Sequence, residues 1–441
     1  MLHLLLIWAA LLLALVMFAI GRPGQGGALT LAYFLGLSLI HVPGVLPFLV
    51  EDSGLVDFEE TQLGFQMTIL GMSAFVAGAV VAGRIDRRSA AARDAPSHRR
   101  AHAFERVGWR ALGLGIFAYF VLVPLSGRMP SLTSVASAFG TLLIIGLWLA
   151  LYGAAVPADR RRMLATLTLL PLLPLATLVM GGFLGFGVYW VLSIIAFLFV
   201  ITRRRFWFYS AAPVVIFLGL SLFVTYMGQR EAIRETVWYQ QSGLLDRLDR
   251  VSALVTAFQL LDLASPDQLS ALDDRLNQNW MVGAAVVKQE EGSASFAYGA
   301  TIPIWALIPR VVWPDKPDIG GGGNIVSEFT GIQFAEDTSI GAGQVLEFYV
   351  NFGIPGVLLG FCVLGFLLMR LDQGIMRSLA ADNMRGLLLR AMPGLTLLQP
   401  GGNLLEILVG GVAAYAGAHL VMSLNFFNVQ SPARARRLVV T

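Results

Sequence analysis

The sequence has little of what disulfide-linked domains, thiolate metal sites and soluble domains depend on. Cys362 is the single cysteine among 441 residues and lies in an apolar run, which excludes a disulfide framework and a thiolate metal site. Charged residues make up 13% of the chain and hydrophobic residues 56%, whereas soluble domains carry roughly 25% charged residues. This composition excludes an ordinary soluble domain and indicates a polytopic membrane protein.

Histidine and lysine are also scarce. None of the five histidines lies between His102 and His419, and Lys288 and Lys316 are the only lysines. No H-E-x-x-H, paired Cys/His set or P-loop lysine is present, and 228–340 contains no D-x-D, so we expect neither a bound metal nor a cofactor. The net charge of +3 comes without a basic–aromatic module, so we expect no nucleic-acid partner.

Long apolar runs dominate what is present, and spanning a bilayer takes about 20 such residues. The N-terminal run lacks a basic start and a small-residue cleavage site, which favours a first membrane helix over a signal peptide. A shorter candidate at 384–399 contains Arg390 and Pro393. Counting the candidate at 384–399, we predict an all-α polytopic membrane protein of about eleven transmembrane helices. The other runs are 3–20, 27–50, 63–83, 110–127, 132–156, 164–182, 184–202, 207–227, 342–369 and 404–424.

Arginines orient these helices, because positive residues concentrate in cytoplasmic loops. The basic stretches 84–110, 159–162, 202–206 and 431–437 are therefore predicted to be cytoplasmic. Alternation then places the N-terminus outside and favours a crossing segment at 384–399 over a re-entrant one, which would leave the C-terminal arginines outside. The predicted organisation is eight helices in 1–227, a large extracytoplasmic loop in 228–340, and three helices plus a cytoplasmic tail in 341–441.

The loop 228–340, which we call the cap, contains apolar residues at helical spacing and is predicted to be a helical layer on the membrane. Its arginines break the positive-inside pattern, and guanidinium groups bind phosphate through two parallel hydrogen bonds. We expect Arg230 and Arg310 to act on the diphosphate of a polyprenyl ligand, with Arg234 and Arg275 as further ligand contacts. For Arg247 and Arg250 the alternative is pairing with Asp246 and Asp249 on a solvated helix face.

The segment 308–323 ends the cap and has a distinct composition. Two prolines around Asp315 and Lys316 predict a rigid turn that fixes the direction of both side chains, and Trp313 suits the membrane interface. The glycines at 320–323 are compatible with a phosphate cradle or with a flexible loop.

A carboxylate begins the next helix. Glu347, with Tyr349 and Asn351 beside it, lies near membrane depth, where a charged group is costly and suggests function. We expect Glu347 to be either a general base, with Asp315 as the second choice, or an anchor for a cap arginine. Arg390 is expected to face the same cavity, or to pair with Glu406.

The strings I-P-R-V-V-W-P-D-K-P and E-F-Y-V-N-F-G occur in that order within 298–356. Together with the late, large loop they resemble the O-antigen or oligosaccharide repeat-unit polymerases (Wzy-type). The architecture matches over most of the chain, and the motifs only over 298–356. The related O-antigen ligases carry a histidine near the end of the loop, and this sequence has none there.

The resemblance implies a GT-C-like fold and a metal-independent, inverting transfer of a growing glycan from undecaprenyl diphosphate to another lipid-linked repeat unit. It implies a bacterial inner membrane location with the active site facing the periplasm. The implied partners are the lipid-linked donor and acceptor, the bilayer, and a chain-length regulator and flippase of the same pathway. Two alternatives stay open: a ligase-type transferase, and a transporter, for which the sequence shows neither repeat symmetry nor paired broken helices.

Overall fold

The structure is a computed structural model that describes residues 1–22, 25–49, 57–85, 98–126, 130–202, 206–239, 243–302, 308, 312–315, 322–334 and 340–423. Those residues form helices and no strand. The α-helices are α1 (Leu2–Ile20), α2 (Ala28–His41), α3 (Phe58–Ile85), α4 (His98–Phe117), α5 (Val123–Ser126), α6 (Pro130–Ala155), α7 (Arg160–Leu167), α8 (Leu172–Gly181), α9 (Leu184–Ile201), α10 (Phe206–Arg234), α11 (Leu244–Thr256), α12 (Pro266–Leu276), α13 (Asn279–Glu290), α14 (Gly322–Thr330), α15 (Gln344–Ala380), α16 (Met384–Thr396) and α17 (Leu404–Ser423).

Nine helical stretches in the described part of the chain are long and apolar enough to cross a membrane. This confirms an all-helical, multi-pass membrane protein, because backbone polar groups inside a bilayer must be satisfied within helices. The stretches are Leu2–Ile20, Phe58–Ile85, His102–Ser126, Thr133–Ala155, Arg160–Gly181, Leu184–Ile201, Phe208–Val237, Gln344–Ala380 and Leu404–Ser423.

Two of the eleven predicted spans differ from the expectation. The run 27–50 is broken into α2 and a 3-10 helix, Pro43–Leu49, bent by 42°, since Pro43 and Pro47 lack the N–H that a continuous helix needs. The run 384–399 forms α16 of 13 residues, and a helix of that length rises only about 20 Å. A bilayer core is about 30 Å thick, so α16 does not cross it unaided.

Glycines let the central helices approach closely. A Cβ at Gly365 of α15 would lie 2.0 Å from the Phe75 carbonyl oxygen of α3, and one at Gly78 would lie 2.0 Å from the Cys362 carbonyl oxygen. Small residues at such crossings let backbones touch, which is how membrane helices associate without a hydrophobic driving force. Helices α3 and α15 therefore form a parallel pair at the centre of the protein.

Helix α15 is broken near its start. Phe352 and Gly353 have non-helical backbone angles, with φ +63° and ψ −153° at Gly353, a region open only to glycine. A Cβ at Gly356 would lie 2.3 Å from the Phe348 carbonyl oxygen, although residues eight apart in a straight helix are about 12 Å apart. The short arm 344–351 is therefore folded back on the long arm 354–380. With the bend after α2, this gives two broken helices where none was expected.

The cap begins later and lies deeper than predicted. Helix α10 runs through Arg234 and continues as a π-helical turn, Glu235–Tyr239, so the boundary at 227 falls inside a helix. Helix α13 packs on the first half of α3, where a Cβ at Gly283 would lie 1.8 Å from the Glu60 carbonyl oxygen. Helix α13 of the cap therefore packs directly against the membrane helices.

Candidate functional site

Three of the predicted arginines come together where the cap meets α10. Arg230 and Arg234 lie one turn apart on α10, and Arg275 lies on α12. Helix α12 reaches α10 by packing Leu272 and Leu276 against Leu220 and Val224. The guanidinium groups of Arg230, Arg234 and Arg275, which we call the arginine cluster, are close enough for their charges to interact.

Aromatic residues contact two members of the cluster. Arg230 donates a hydrogen bond to the Tyr226 hydroxyl, which itself donates to the Gly182 carbonyl oxygen at 3.0 Å. The Arg234 guanidinium carbon lies 5.3 Å from the centre of the Phe183 ring. In the described part of the chain, neither Arg230 nor Arg275 forms an ion pair with a carboxylate. Three like charges at one half-buried position favour an anionic ligand.

The turn between α12 and α13, residues 277–279, contains two buried asparagines, and we call it the tip. Asn279 is 0% exposed. Its Oδ1 accepts from His41 Nδ1 at 2.8 Å and from Thr68 Oγ1 at 3.0 Å, and its Nδ2 donates to the His41 carbonyl oxygen at 2.7 Å. Asn277 accepts a further bond from Asn279 Nδ2 at 3.0 Å and donates to Thr61 Oγ1 at 3.1 Å. The tip is therefore fastened to α2 and α3.

Sequence reasoning missed this network. His41 is not among the predicted site residues, yet it contacts a cap residue 238 positions away. A signal was available in "LNQNWMVGAAVV", where two asparagines interrupt an apolar helical pattern. Buried amides of this kind need partners.

Asp273 lies on the opposite flank of α12 from Arg275, because residues two apart on a helix point about 200° apart. Asn277 Nδ2 donates to its Oδ1 at 2.6 Å. Burial raises the pKa of the Asp273 carboxyl to about 6, with the charges of Asp274 and Asp57 adding to the increase and the Asn277 bond opposing it. Helix α12 thus presents the acidic side chain of Asp273 toward α3 and the positively charged side chain of Arg275 toward α10.

The sequence predicts that Glu347 lies either where a substrate hydroxyl can reach it or beside a cap arginine, and its surroundings match neither prediction. The residue is 0% exposed, and its Oε2 accepts from the Leu404 N–H, at the start of α17, at 2.5 Å. Its Oε1 has no hydrogen-bond partner, and no arginine of the described residues bonds to it. Glu347 therefore satisfies the N-terminus of α17 instead of anchoring a cap arginine, and it is not placed to meet a sugar hydroxyl.

Tyr349 and Asn351, predicted as ligand contacts, are buried against the cap. Asn351 uses both ends of its amide: Oδ1 accepts from Gly299 N at 2.8 Å, and Nδ2 donates to Thr301 Oγ1 at 2.5 Å. The Tyr349 ring packs on Phe296 with 6.2 Å between centroids. Both side chains hold the cap to the break in α15, which leaves them unavailable to a ligand in this arrangement.

Arg390 does not join the other candidates. Its guanidinium donates to the Gly386 carbonyl oxygen at 2.6 Å and to Ser378 Oγ at 3.3 Å, while Glu406 accepts from Asn403 at 3.3 Å. The prediction that Arg390 and Glu406 pair is wrong, because Arg390 packs toward the last turn of α15 and Glu406 begins α17.

The remaining candidates belong to the end of the cap. Trp313 is 39% exposed and Asp315 is exposed as well, so their side chains are available to a ligand or to lipid. Arg310 and Lys316 lie outside the described residues, as do 320 and 321 of the glycine run. Their predicted roles stay predictions.

No metal site is visible in the described ranges, which contain no group of three or more His, Cys, Asp or Glu side chains that could hold a metal ion. A small crevice lies between α6, α9 and α16 and is lined by Ile144, Phe186, Tyr189, Trp190, Leu395, Leu398 and Gln399. Comparison of the chain with known protein families, with curated proteins and with solved structures finds no match.

Proposed function

We propose that this protein is a membrane-embedded glycosyltransferase that polymerises oligosaccharide repeat units carried on undecaprenyl diphosphate. The observation that carries the proposal is the arginine cluster at the cap end of α10. Two of its members, Arg230 and Arg275, have no carboxylate partner among the described residues. A diphosphate attached to a lipid would bring two or more negative charges to this position.

The chemistry proposed for the cluster is stabilisation of a leaving group. When the glycosidic bond of the donor breaks, negative charge develops on the departing lipid diphosphate. Fixed guanidinium groups aimed at that charge lower the barrier, because they need no reorganisation as the reaction proceeds. Arg310 is proposed to extend the same clamp. Asp315 is our choice for the base that removes the acceptor proton, since Glu347 is buried against α17.

The surroundings of α10 suit a lipid tail. Residues 209–219 of α10 are all exposed, so this stretch of α10 stands apart from the rest of the bundle. The arginine cluster lies at the other end of the same helix. A polyprenyl chain lying along 209–219 would place its diphosphate at the cluster and its sugars under the cap. Trp313 and Lys316 are proposed to contact those sugars.

The test is polymerisation by the purified full-length protein in lipid nanodiscs, supplied with a lipid-linked repeat unit. Wild-type protein should produce a ladder of products. Arg230→Gln and Arg275→Gln should each slow the reaction by about 100-fold, the loss typical of removing one charge-stabilising donor. Arg385→Gln, an exposed arginine at the start of α16, is the matched control and should leave the ladder unchanged.

A transporter of the same lipid-linked saccharides is the second candidate, and the two broken helices favour it. Transporters build binding sites from discontinuous membrane helices, and the breaks after α2 and within α15 have that form. Translocation of the lipid-linked saccharide without growth of the glycan chain would support the transporter function. A single glycan added to a lipid A acceptor would select a ligase-type transferase instead. Polymerisation by Arg230→Gln and Arg275→Gln at the wild-type rate would refute the proposed role of the arginine cluster in stabilising the leaving diphosphate.

A further inference from the structure

The first turn of α15 contains a buried carboxylate that has no counter-charge among the described residues. Glu347 is 0% exposed, and its Oε2 is bonded to a backbone N–H of α17. Its Oε1 has no hydrogen-bond partner in the described part of the chain. The charged neighbour that acts on it is another carboxylate, Glu406. An unpaired carboxylate inside a membrane protein is costly, and such groups mark ion or proton sites.

A second buried acceptor reaches the same place from the cap. Gln278, in the middle of the tip, inserts its side chain between the start of α15 and the turn before α17. A Cβ at Gly343 would lie 2.5 Å from Gln278 Oε1, and one at Gly401 would lie 3.1 Å from Gln278 Nε2. Gln278 Oε1 is buried and has no hydrogen-bond partner.

Glu347 and Gln278 therefore bridge the same two segments. Glu347 N bonds to the Gly343 carbonyl oxygen at 3.1 Å, which places it one turn from the glycine that Gln278 touches. Its carboxylate bonds to Leu404, three residues after Gly401. Both side chains offer an oxygen that has no donor among the described residues. A small cation would satisfy two such acceptors between the start of α15 and the start of α17.

We propose that Glu347 Oε1 and Gln278 Oε1, with backbone carbonyl oxygens of 340–343 and 399–403, bind a monovalent cation such as Na⁺. Unwound backbone beside a broken membrane helix supplies carbonyl ligands of this kind. Such a site would join the cap tip to α15 and α17, so cation binding would stabilise the closed cap. The proposal does not depend on the proposed glycosyl transfer.

Glu347 could be satisfied by its own proton or by a bound cation, and its bond to α17 favours the cation. The N-terminus of α17 donates to Oε2, and a helix N-terminus stabilises the ionised carboxylate. An ionised Glu347 needs a positive partner, and no lysine or arginine of the described residues provides one. Protonation would supply a single donor, whereas a cation accepts electron pairs from both oxygens at once.

The experiment measures thermal unfolding of the full-length protein in nanodiscs, with NaCl replaced stepwise by choline chloride at constant ionic strength and pH. Binding to the folded state alone stabilises it in proportion to the logarithm of the cation concentration. We expect the wild-type Tm to rise by about 3 °C at saturating Na⁺. Glu347→Gln and Gln278→Leu should lose this rise, while Glu406→Gln, which alters the exposed neighbouring carboxylate, should keep it.

Binding of radioactive sodium to the same proteins supplies a second measurement, independent of whether each variant is as stable as the wild type. Sodium bound by wild type and Glu406→Gln but not by Glu347→Gln would support the site. A wild-type Tm that does not change with the Na⁺ concentration overturns the proposal. A Tm that instead falls as pH rises, and does so only when Glu347 is present, overturns it in favour of a protonated carboxyl.

Discussion

Replacing Asn279 with leucine, whose side chain has the same branching at Cγ, tests whether the tip fastens the cap to the membrane helices. The change removes four side-chain hydrogen bonds, to His41 Nδ1, Thr68 Oγ1, the His41 carbonyl oxygen and Asn277 Oδ1. A hydrogen bond contributes a net 0.5–1.5 kcal/mol, so the expected loss is about 2–6 kcal/mol. Membrane proteins with several domains need not unfold in one step, so the cap is best followed by itself.

Limited proteolysis reports on the cap directly, because Arg275 and Lys288 flank the tip and are trypsin sites. In Asn279→Leu both should be cut faster than in the wild type, at a trypsin concentration where cleavage follows the open population. The matched control is Asn383→Ala, which removes one side-chain bond, to Gly386 N at 2.9 Å, and should cost about 1 kcal/mol. Cleavage of Asn279→Leu no faster than that of Asn383→Ala would refute the reasoning.

Three further predictions concern the packing and charge of the same region. Gly353→Ala should lower the Tm, since a φ of +63° strains any other residue by about 1–3 kcal/mol. The control is Gly228→Ala, which should raise the Tm or leave it unchanged because no heavy atom lies within 4 Å of the new Cβ. Gly283→Ala should detach α13 from α3, because its Cβ would lie 1.8 Å from the Glu60 carbonyl oxygen; faster trypsin cleavage at the cap measures this. The raised pKa of Asp273, about 6, makes the folded state hold its proton more tightly than the unfolded chain, so stability is lost as pH rises from about 4 to 6. Asp273→Asn should flatten that part of the pH profile of Tm.

The membrane helices were predictable from the sequence because bilayer thickness sets their length. The run 184–202 became α9, and the N-terminal run 3–20 became α1. The two breaks were less visible, although proline and glycine mark both of them. Pro43 and Pro47 interrupt the second run, and the N-F-G-I-P string of 351–355 ends the short arm of α15. A hydropathy window averages over such residues, so it reports apolar length and not continuity.

The candidate site was predictable only as a set of residue types. Arginines that break the positive-inside pattern pointed to Arg230, Arg234 and Arg275, and those three do meet. That they meet depends on α12 packing against α10, which no local pattern encodes. Glu347 was noticed for its cost at membrane depth, but its partner is a backbone N–H of a helix that begins 57 positions later. A single sequence carries no record of such pairings.

The tip connects the two parts of the molecule for which a ligand is proposed. Arg275 and Gln278 are three residues apart, so at most about 11 Å of chain separates the arginine cluster from the side chain that touches Gly343. Asn279 holds this segment to α2 and α3 with four hydrogen bonds. Lifting the tip would break them, at about 2–6 kcal/mol, which leaves it open in roughly one molecule in thirty to one in twenty thousand.

A substrate that had to wait for the tip to lift would therefore react slowly. If the protein transfers glycans as proposed, the exposed stretch 209–219 of α10 would offer a route that leaves the tip in place, because a lipid carrier would reach the arginine cluster along it. We therefore expect Asn279→Leu to destabilise the cap without speeding the reaction, and bulky substitutions along 209–219 to slow it. An Asn279→Leu variant that turns over faster than the wild type would show that the cap itself is the gate.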